Sequence, residues 1–232
     1  MAKKSLILYS SLTGNTEKVA LRFRQVFTDK GWDCTAYKVD KTTDYRDPPF
    51  NIEDFDFLCA GSYVLLELPA EELVNFMCKN PLSGHCGQPT REELARQRLL
   101  RNDPKYLPPA EKPKKPMMPR NLGRIKFGDK KGIVFATYAG AHLGPKEAAP
   151  ALSLLESEME HLGFECIGKF ACPGTMARHG PAPESAEDDK AQKPVENNRQ
   201  FSTYHRDMTH RPNERDLLRA EFFLEDKLEE LD

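Results

Sequence analysis

A short apolar run, Leu6-Ile7-Leu8-Tyr9, gives way to Ser11-Leu12-Thr13-Gly14-Asn15-Thr16, and a helical pattern starts at once. Unbroken apolar runs of this length suit a parallel strand covered on both faces, not a half-solvated one. Across residues 15–29, Val19, Phe23, Val26 and Phe27 recur at i, i+4, i+7 and i+8, the spacing of one helical face. Gly31 stands where a helix C-terminal stop belongs. A buried strand that feeds directly into a helix commits the chain to a crossover and a second strand parallel to the first.

The remaining pattern repeats that unit. Strands are predicted at 32–39, 54–61 (with the run Phe57-Leu58-Cys59-Ala60), 133–138 and 164–171. Helices are predicted at 68–80, opened by Pro69, at 147–162, where Pro150 falls near the first turn, and at 213–231. The expected architecture is α/β: a doubly wound, five-stranded parallel sheet with helices on both faces. Residues 40–52 are polar and contain Pro48-Pro49, so the second crossover helix is expected to be shortened or missing.

Two segments interrupt the rhythm. Residues 81–131 hold eight of the 18 prolines and thirteen Lys or Arg against five Asp or Glu, although the whole chain has a net charge of −2. Residues 173–211 are polar and poor in core side chains. Both read as long loops, the first with a short helix at 91–100, and loops this long in a compact domain are functional or disordered. The expected organisation is a single domain over 1–232 carrying these two insertions. The basic stretch is local, which argues against nucleic-acid binding. It is better suited to guiding an acidic partner or an anionic substrate.

No apolar run approaches the roughly 20 residues that span a bilayer. The start, Met1-Ala2-Lys3-Lys4, leads straight into a strand with no signal-peptide pattern, so a cytoplasmic location is expected. The six cysteines form no C-x-x-C pair, which disfavours an iron–sulfur cluster and suits buried thiols in a reducing compartment. His85, Cys86 and Cys78 lack a fourth ligand at a zinc-like spacing.

The turn at 11–16 carries the chemistry. Three hydroxyls and a glycine at the mouth of a helix can hold a phosphate with neutral donors, helped by the free N–H groups and the positive end of the helix dipole. The plainer reading is an ordinary N-cap, for which Ser, Thr, Asn and Gly are all favoured. No G-x-x-x-x-G-K-[ST] and no G-x-G-x-x-G is present, which argues against nucleoside-triphosphate and dinucleotide sites. No G-x-S-x-G surrounds Ser11, so a hydrolase nucleophile is not implied.

Ser11-x-Thr13-Gly14-x-Thr16 resembles the phosphate-binding loop of the flavodoxin family, and the alternating five-strand pattern is similar to that family's sheet. The resemblance covers about 4–80, 131–172 and 212–231. It implies flavin mononucleotide (FMN) as cofactor, with Ser11, Thr13, Gly14, Asn15 and Thr16 around the phosphate. It further implies two flavin-contacting loops at strand ends: a glycine-led turn Gly61-Ser62-Tyr63-Val64, and Thr137-Tyr138-Ala139-Gly140-Ala141-His142-Leu143-Gly144. Tyr63 and Tyr138 are the candidates for stacking on the ring; each could equally be a strand-end tyrosine with an exposed hydroxyl. His142 could be a solvent-facing loop residue. The implied function is electron transfer through FMN to a redox partner protein. The alternative is an FMN-dependent NAD(P)H oxidoreductase acting on a quinone, flavin or small organic acceptor, and a third reading is a binding module that has lost FMN.

Overall fold

The computed structural model describes residues 2–45, 48–78, 129–140, 143–175, 208 and 210–231. The bulk of the 81–131 insertion, the helix expected at 91–100, most of the 173–211 loop, and Ala141 and His142 lie outside the described residues.

The elements run β1 (Lys4–Tyr9), α1 (Asn15–Asp29), β2 (Asp33–Lys38), a 3-10 turn (Ile52–Asp54), β3 (Phe57–Leu65) and β4 (Leu68–Pro69). They continue with α2 (Glu71–Cys78), β5 (Lys131–Tyr138), a second 3-10 turn (Gly144–Ala148), α3 (Ala149–His161), β6 (Glu165–Pro173) and α4 (Glu214–Glu229). Five strands form a parallel sheet in the order β2-β1-β3-β5-β6, and the two-residue β4 pairs antiparallel with the end of β3. The expected doubly wound α/β architecture is observed.

The apolar runs explain why both faces are covered. Alternate residues of β1, β3 and β5 point opposite ways. Leu6, Leu8, Leu58, Ala60, Val134 and Ala136 pack with α2 and α3 through Leu73, Phe76, Leu155 and Met159. Ile7, Phe57, Cys59, Ile133 and Phe135 pack with α1 and α4 through Phe23, Phe27, Leu224 and Leu228. Each fully buried Phe or Leu contributes about 1.5–3 kcal/mol of transfer free energy.

Several boundaries differ from those predicted, each for a local reason. β3 does not stop at Gly61; it runs four residues further, so Gly61-Ser62-Tyr63-Val64 is strand and not a turn. Gly61 stands beside Phe135 of β5, and a Cβ at Gly61 would fall within the Phe135 ring. The glycine therefore makes room for a neighbouring ring that also packs edge-on against Phe23, with centroids 5.0 Å apart. The turn comes at Leu66 and Glu67, with φ of 51° and 66°, and returns the chain as β4. Leu68 and Pro69 are consequently strand, and α2 starts only at Glu71. The helix expected from 147 begins as a 3-10 turn and becomes α-helical at Ala149, with Pro150 in its first turn. Between β2 and β3 the described residues form no α-helix, as their polar, proline-containing sequence suggested.

Gly61→Ala should destabilise the protein by roughly 1–3 kcal/mol, because its methyl would overpack a core that is already full. Urea unfolding of the variant checks this; an unchanged midpoint would mean that Phe135 can move aside at no cost.

Candidate functional site

Burial of both sheet faces leaves the strand ends as the place where polar groups can converge. At the carboxyl end of β1, the chain turns through 10–14 into α1. Gly14 occupies the N-cap with φ 81°, a conformation that favours glycine, and as a glycine it offers no capping side chain of its own. The first helical N–H with a carbonyl partner is that of Lys18, which donates to Gly14 O at 3.0 Å. The Glu17 N–H donates to Ser11 Oγ at 3.3 Å. Among the described residues, no backbone carbonyl takes the N–H groups of Leu12, Thr13, Gly14, Asn15 or Thr16. Donors left free at the positive end of a 15-residue helix suit an anion.

A cleft of about 410 Å³ opens on this turn, within the range of about 300–1,000 Å³ usual for small-molecule sites. Its floor is formed by Thr13, Asn15 and the end of β5, Thr137 to Ala139. One wall is the overhang of β3, from Tyr63 to Glu67; the other is Leu143 and Glu147, with Gly174 and Thr175 closing the far end. No Lys or Arg is among the described residues lining it. A larger depression, about 960 Å³, lies near the amino ends of β1 and β5 among Lys4, Asp56 and Lys131. Those charged side chains are ordinary surface for the base of an α/β sheet, whereas ligands of such sheets bind beyond the carboxyl ends of the strands.

The polar side chains around the cleft divide into those that hold its frame and those that face inward. Thr16 Oγ1 and Thr137 Oγ1 lie 2.8 Å apart and both residues are buried, so this pair bolts the first turn of α1 to β5. Asn15 Nδ2 donates to Thr175 O at 2.8 Å, and the Asn15 side chain lies against Gly174, where a Cβ would crowd it. Ser62 is fully buried; its hydroxyl accepts from Ala70 N–H and donates to Tyr63 O, both at 2.7 Å, which fixes the base of the β3–β4 hairpin. Tyr63 donates its hydroxyl to Glu72 Oε1 at 3.2 Å. Burial and the Glu72 charge both raise its phenol pKa. Tyr138 is buried, and burial raises its phenol pKa in the same direction. Across the cleft, Glu147 packs over Gly140, where a Cβ would collide with its carboxylate. Its Oε2 is buried and has no hydrogen-bond partner among the described residues.

No family profile and no curated protein sequence matches the chain. Among solved structures, it is similar to oxidised Flavodoxin 1 from Bacillus cereus, with a TM-score of 0.50 and 12% identity over 95% of this chain and 94% of that one. A flavodoxin from the domain Archaea aligns with a TM-score of 0.48 and 13% identity over 98% of both chains. The chain has a flavodoxin-like fold. At 12% identity the likeness is one of backbone architecture.

Within that flavodoxin-like frame, the structure brings Thr13, Asn15, Tyr63, Thr137, Tyr138 and Ala139 to one cleft. Ser11 and Gly14 shape the turn behind it, and Gly140 underlies Glu147. The hydroxyls of Thr16 and Ser62 are engaged inside the protein, and neither residue lines the cleft. His142 lies outside the described residues. Leu65, Leu66 and Glu147 line the cleft and carried no sequence signal, because an isolated leucine or glutamate marks nothing until the fold is known; Leu12 and Leu143 also line it, inside the two loops that the resemblance pointed to but with no role of their own there.

Thr16→Val should lower stability by about 1–3 kcal/mol by orphaning the buried Thr137 hydroxyl. The double variant Thr16→Val/Thr137→Val should lose less than the sum of the two single variants. Strictly additive losses in urea melts would show that the two hydroxyls do not depend on one another.

Proposed function

We propose that the chain binds FMN non-covalently in this cleft and serves as an electron-transfer protein. When bound, the flavin supplies the redox chemistry. The observation that carries the reading is the run of N–H groups from Leu12 to Thr16, free of carbonyl partners at the foot of a cleft whose walls are tyrosine and leucine. A phosphate dianion needs donors rather than a counter-charge when it sits at a helix opening, and Thr13 adds a hydroxyl beside them. Tyr63, Val64, Leu65 and Leu143 offer the flat, apolar contact that an aromatic ring system prefers. Donor set, wall chemistry and volume all fit FMN.

The reading assigns Thr13 and the backbone of 12–16 to the phosphate, and Tyr63, Thr137, Tyr138 and Ala139 to the rest of the cofactor. Thr16 and Ser62 hold the frame. The partner is a redox protein, and the compartment is a reducing, cytoplasmic one.

Titration of the purified protein with FMN, followed by flavin fluorescence, tests the proposal. One equivalent should bind, and riboflavin, lacking the phosphate, should bind more weakly. Thr13→Ala should weaken FMN binding about tenfold, the equivalent of one good hydrogen bond to a charged group, and leave riboflavin affinity unchanged. Equal affinity for FMN and riboflavin would remove the phosphate assignment. The bound flavin should be reduced by dithionite or a protein reductase and not by NADH or NADPH alone; rapid bleaching by either nucleotide would make the chain a reductase instead.

A further inference from the structure

Two walls of the cleft hang from one carboxylate. Glu72, in the first turn of α2, accepts a hydrogen bond from Ser10 Oγ at 2.6 Å and another from the Tyr63 hydroxyl at 3.2 Å, both at Oε1. Ser10 is the buried residue from which the anion turn departs, and its N–H donates to Gly61 O at 2.9 Å. Tyr63 stands on the β3 overhang, beyond Gly61, and lines the cleft. Tyr63 is half-buried against the core that α2 covers, and its hydroxyl is the one group of the side chain that a directional bond can hold. Ser10 and Glu72 are 62 positions apart in the chain, so α2 has to be docked before either wall is set.

We propose that Glu72 is a positioning residue for the cofactor: its carboxylate orients the Tyr63 ring against the bound flavin and anchors the strand exit that leads into the phosphate turn. The proposal rests on the FMN reading of the cleft. Glu72 does not line the cleft and touches no ligand; it acts through Tyr63 and Ser10. Its work needs an acceptor oxygen at one place, not a negative charge. A glutamine, whose carbonyl oxygen accepts two hydrogen bonds, therefore substitutes for it, and an alanine does not.

The test compares Glu72→Gln, Glu72→Ala, Tyr63→Phe and the double variant Glu72→Ala/Tyr63→Phe, with FMN as the probe. Glu72→Gln should bind FMN within about twofold of the wild type. Glu72→Ala should bind about tenfold more weakly, the loss expected when one well-made hydrogen bond is removed. It should also change the visible circular dichroism of the bound flavin, which reports the ring's immediate contacts and not global stability. Tyr63→Phe should change that spectrum in the same sense, and adding Glu72→Ala to it should alter the spectrum no further. In the unliganded protein, Glu72→Gln should lower the raised Tyr63 phenol pKa towards the ordinary tyrosine range, because the neighbouring charge that helps to raise it is gone.

Wild-type affinity and an unaltered flavin spectrum in Glu72→Ala would overturn the role, and so would Glu72→Gln failing as badly as Glu72→Ala. Should Glu72→Ala not fold, Tyr63→Phe decides: an unaltered flavin spectrum there overturns the role as well. If the wild type takes up no FMN, the flavin reading falls first and this inference with it. If the wild type binds FMN and the variants are indifferent, Glu72 alone is dismissed.

Discussion

Among the described residues, the polar groups around the cleft lie at the ends of strands, because both faces of the central strands are closed by side chains. β1, β3 and β5 carry buried residues along almost their whole length, with α2 and α3 on one side and α1 and α4 on the other. A hydroxyl or carboxylate within that sandwich would need a partner to offset its desolvation. The interior accordingly holds mostly aliphatic and aromatic groups, the buried Ser5 of β1 being an exception, and among the described residues the free backbone donors of 12–16 gather where β1 spills into α1. The position of the cleft follows from the packing of the sheet, not from the cleft's own residues.

The same constraint explains what was legible in the sequence. α1 was readable to the residue, because its apolar face, its Gly14 entry and its Gly31 exit are all local signals. The strand runs and the parallel topology were readable for the same reason. Gly61 was misleading: next to a string of small and polar residues it imitates a turn, whereas its actual purpose is to accept the Phe135 ring from a strand about seventy residues later. The hairpin was equally silent, since it turns at Leu66 and Glu67 and not at the Asn-Gly or Asp-Gly pair that such a turn usually advertises. Roles that depend on a distant partner were beyond local reading. Thr16 and Thr13 look alike in sequence, yet one is sealed against Thr137 and the other faces the cleft. Glu72 and Glu147 look like two of many surface glutamates, yet one gathers Ser10 and Tyr63 and the other leaves an oxygen beside Gly140 unpartnered among the described residues.

The β3–β4 hairpin shows how the frame supports a strained rim. A non-glycine residue at positive φ costs of order 1–3 kcal/mol, and here two stand in sequence. The strain persists because the base of the hairpin is over-determined: Val64 pairs with Pro69, Leu65 pairs with Leu68, and the Ser62 hydroxyl binds both Ala70 N–H and Tyr63 O. Ser62 therefore contributes to the cleft without reaching it, by fixing the direction in which the overhang leaves the sheet.

That direction has a consequence for the mouth of the cleft. Leu66, 85% exposed at the tip of the turn, stands with Leu12, Leu65 and Leu143 around one opening, and all four are exposed. Single exposed leucines are common on protein surfaces, but four around one cleft form a continuous apolar rim. A relaxed Asn-Gly turn would give the same hairpin at lower conformational cost and would put no side chain of this kind at the tip. The strained pair is intelligible if the apolar side chain of Leu66, and not the turn itself, is what the position has to supply: it extends the cleft wall beyond Tyr63, where a backbone of ordinary turn residues would leave the cleft open to water.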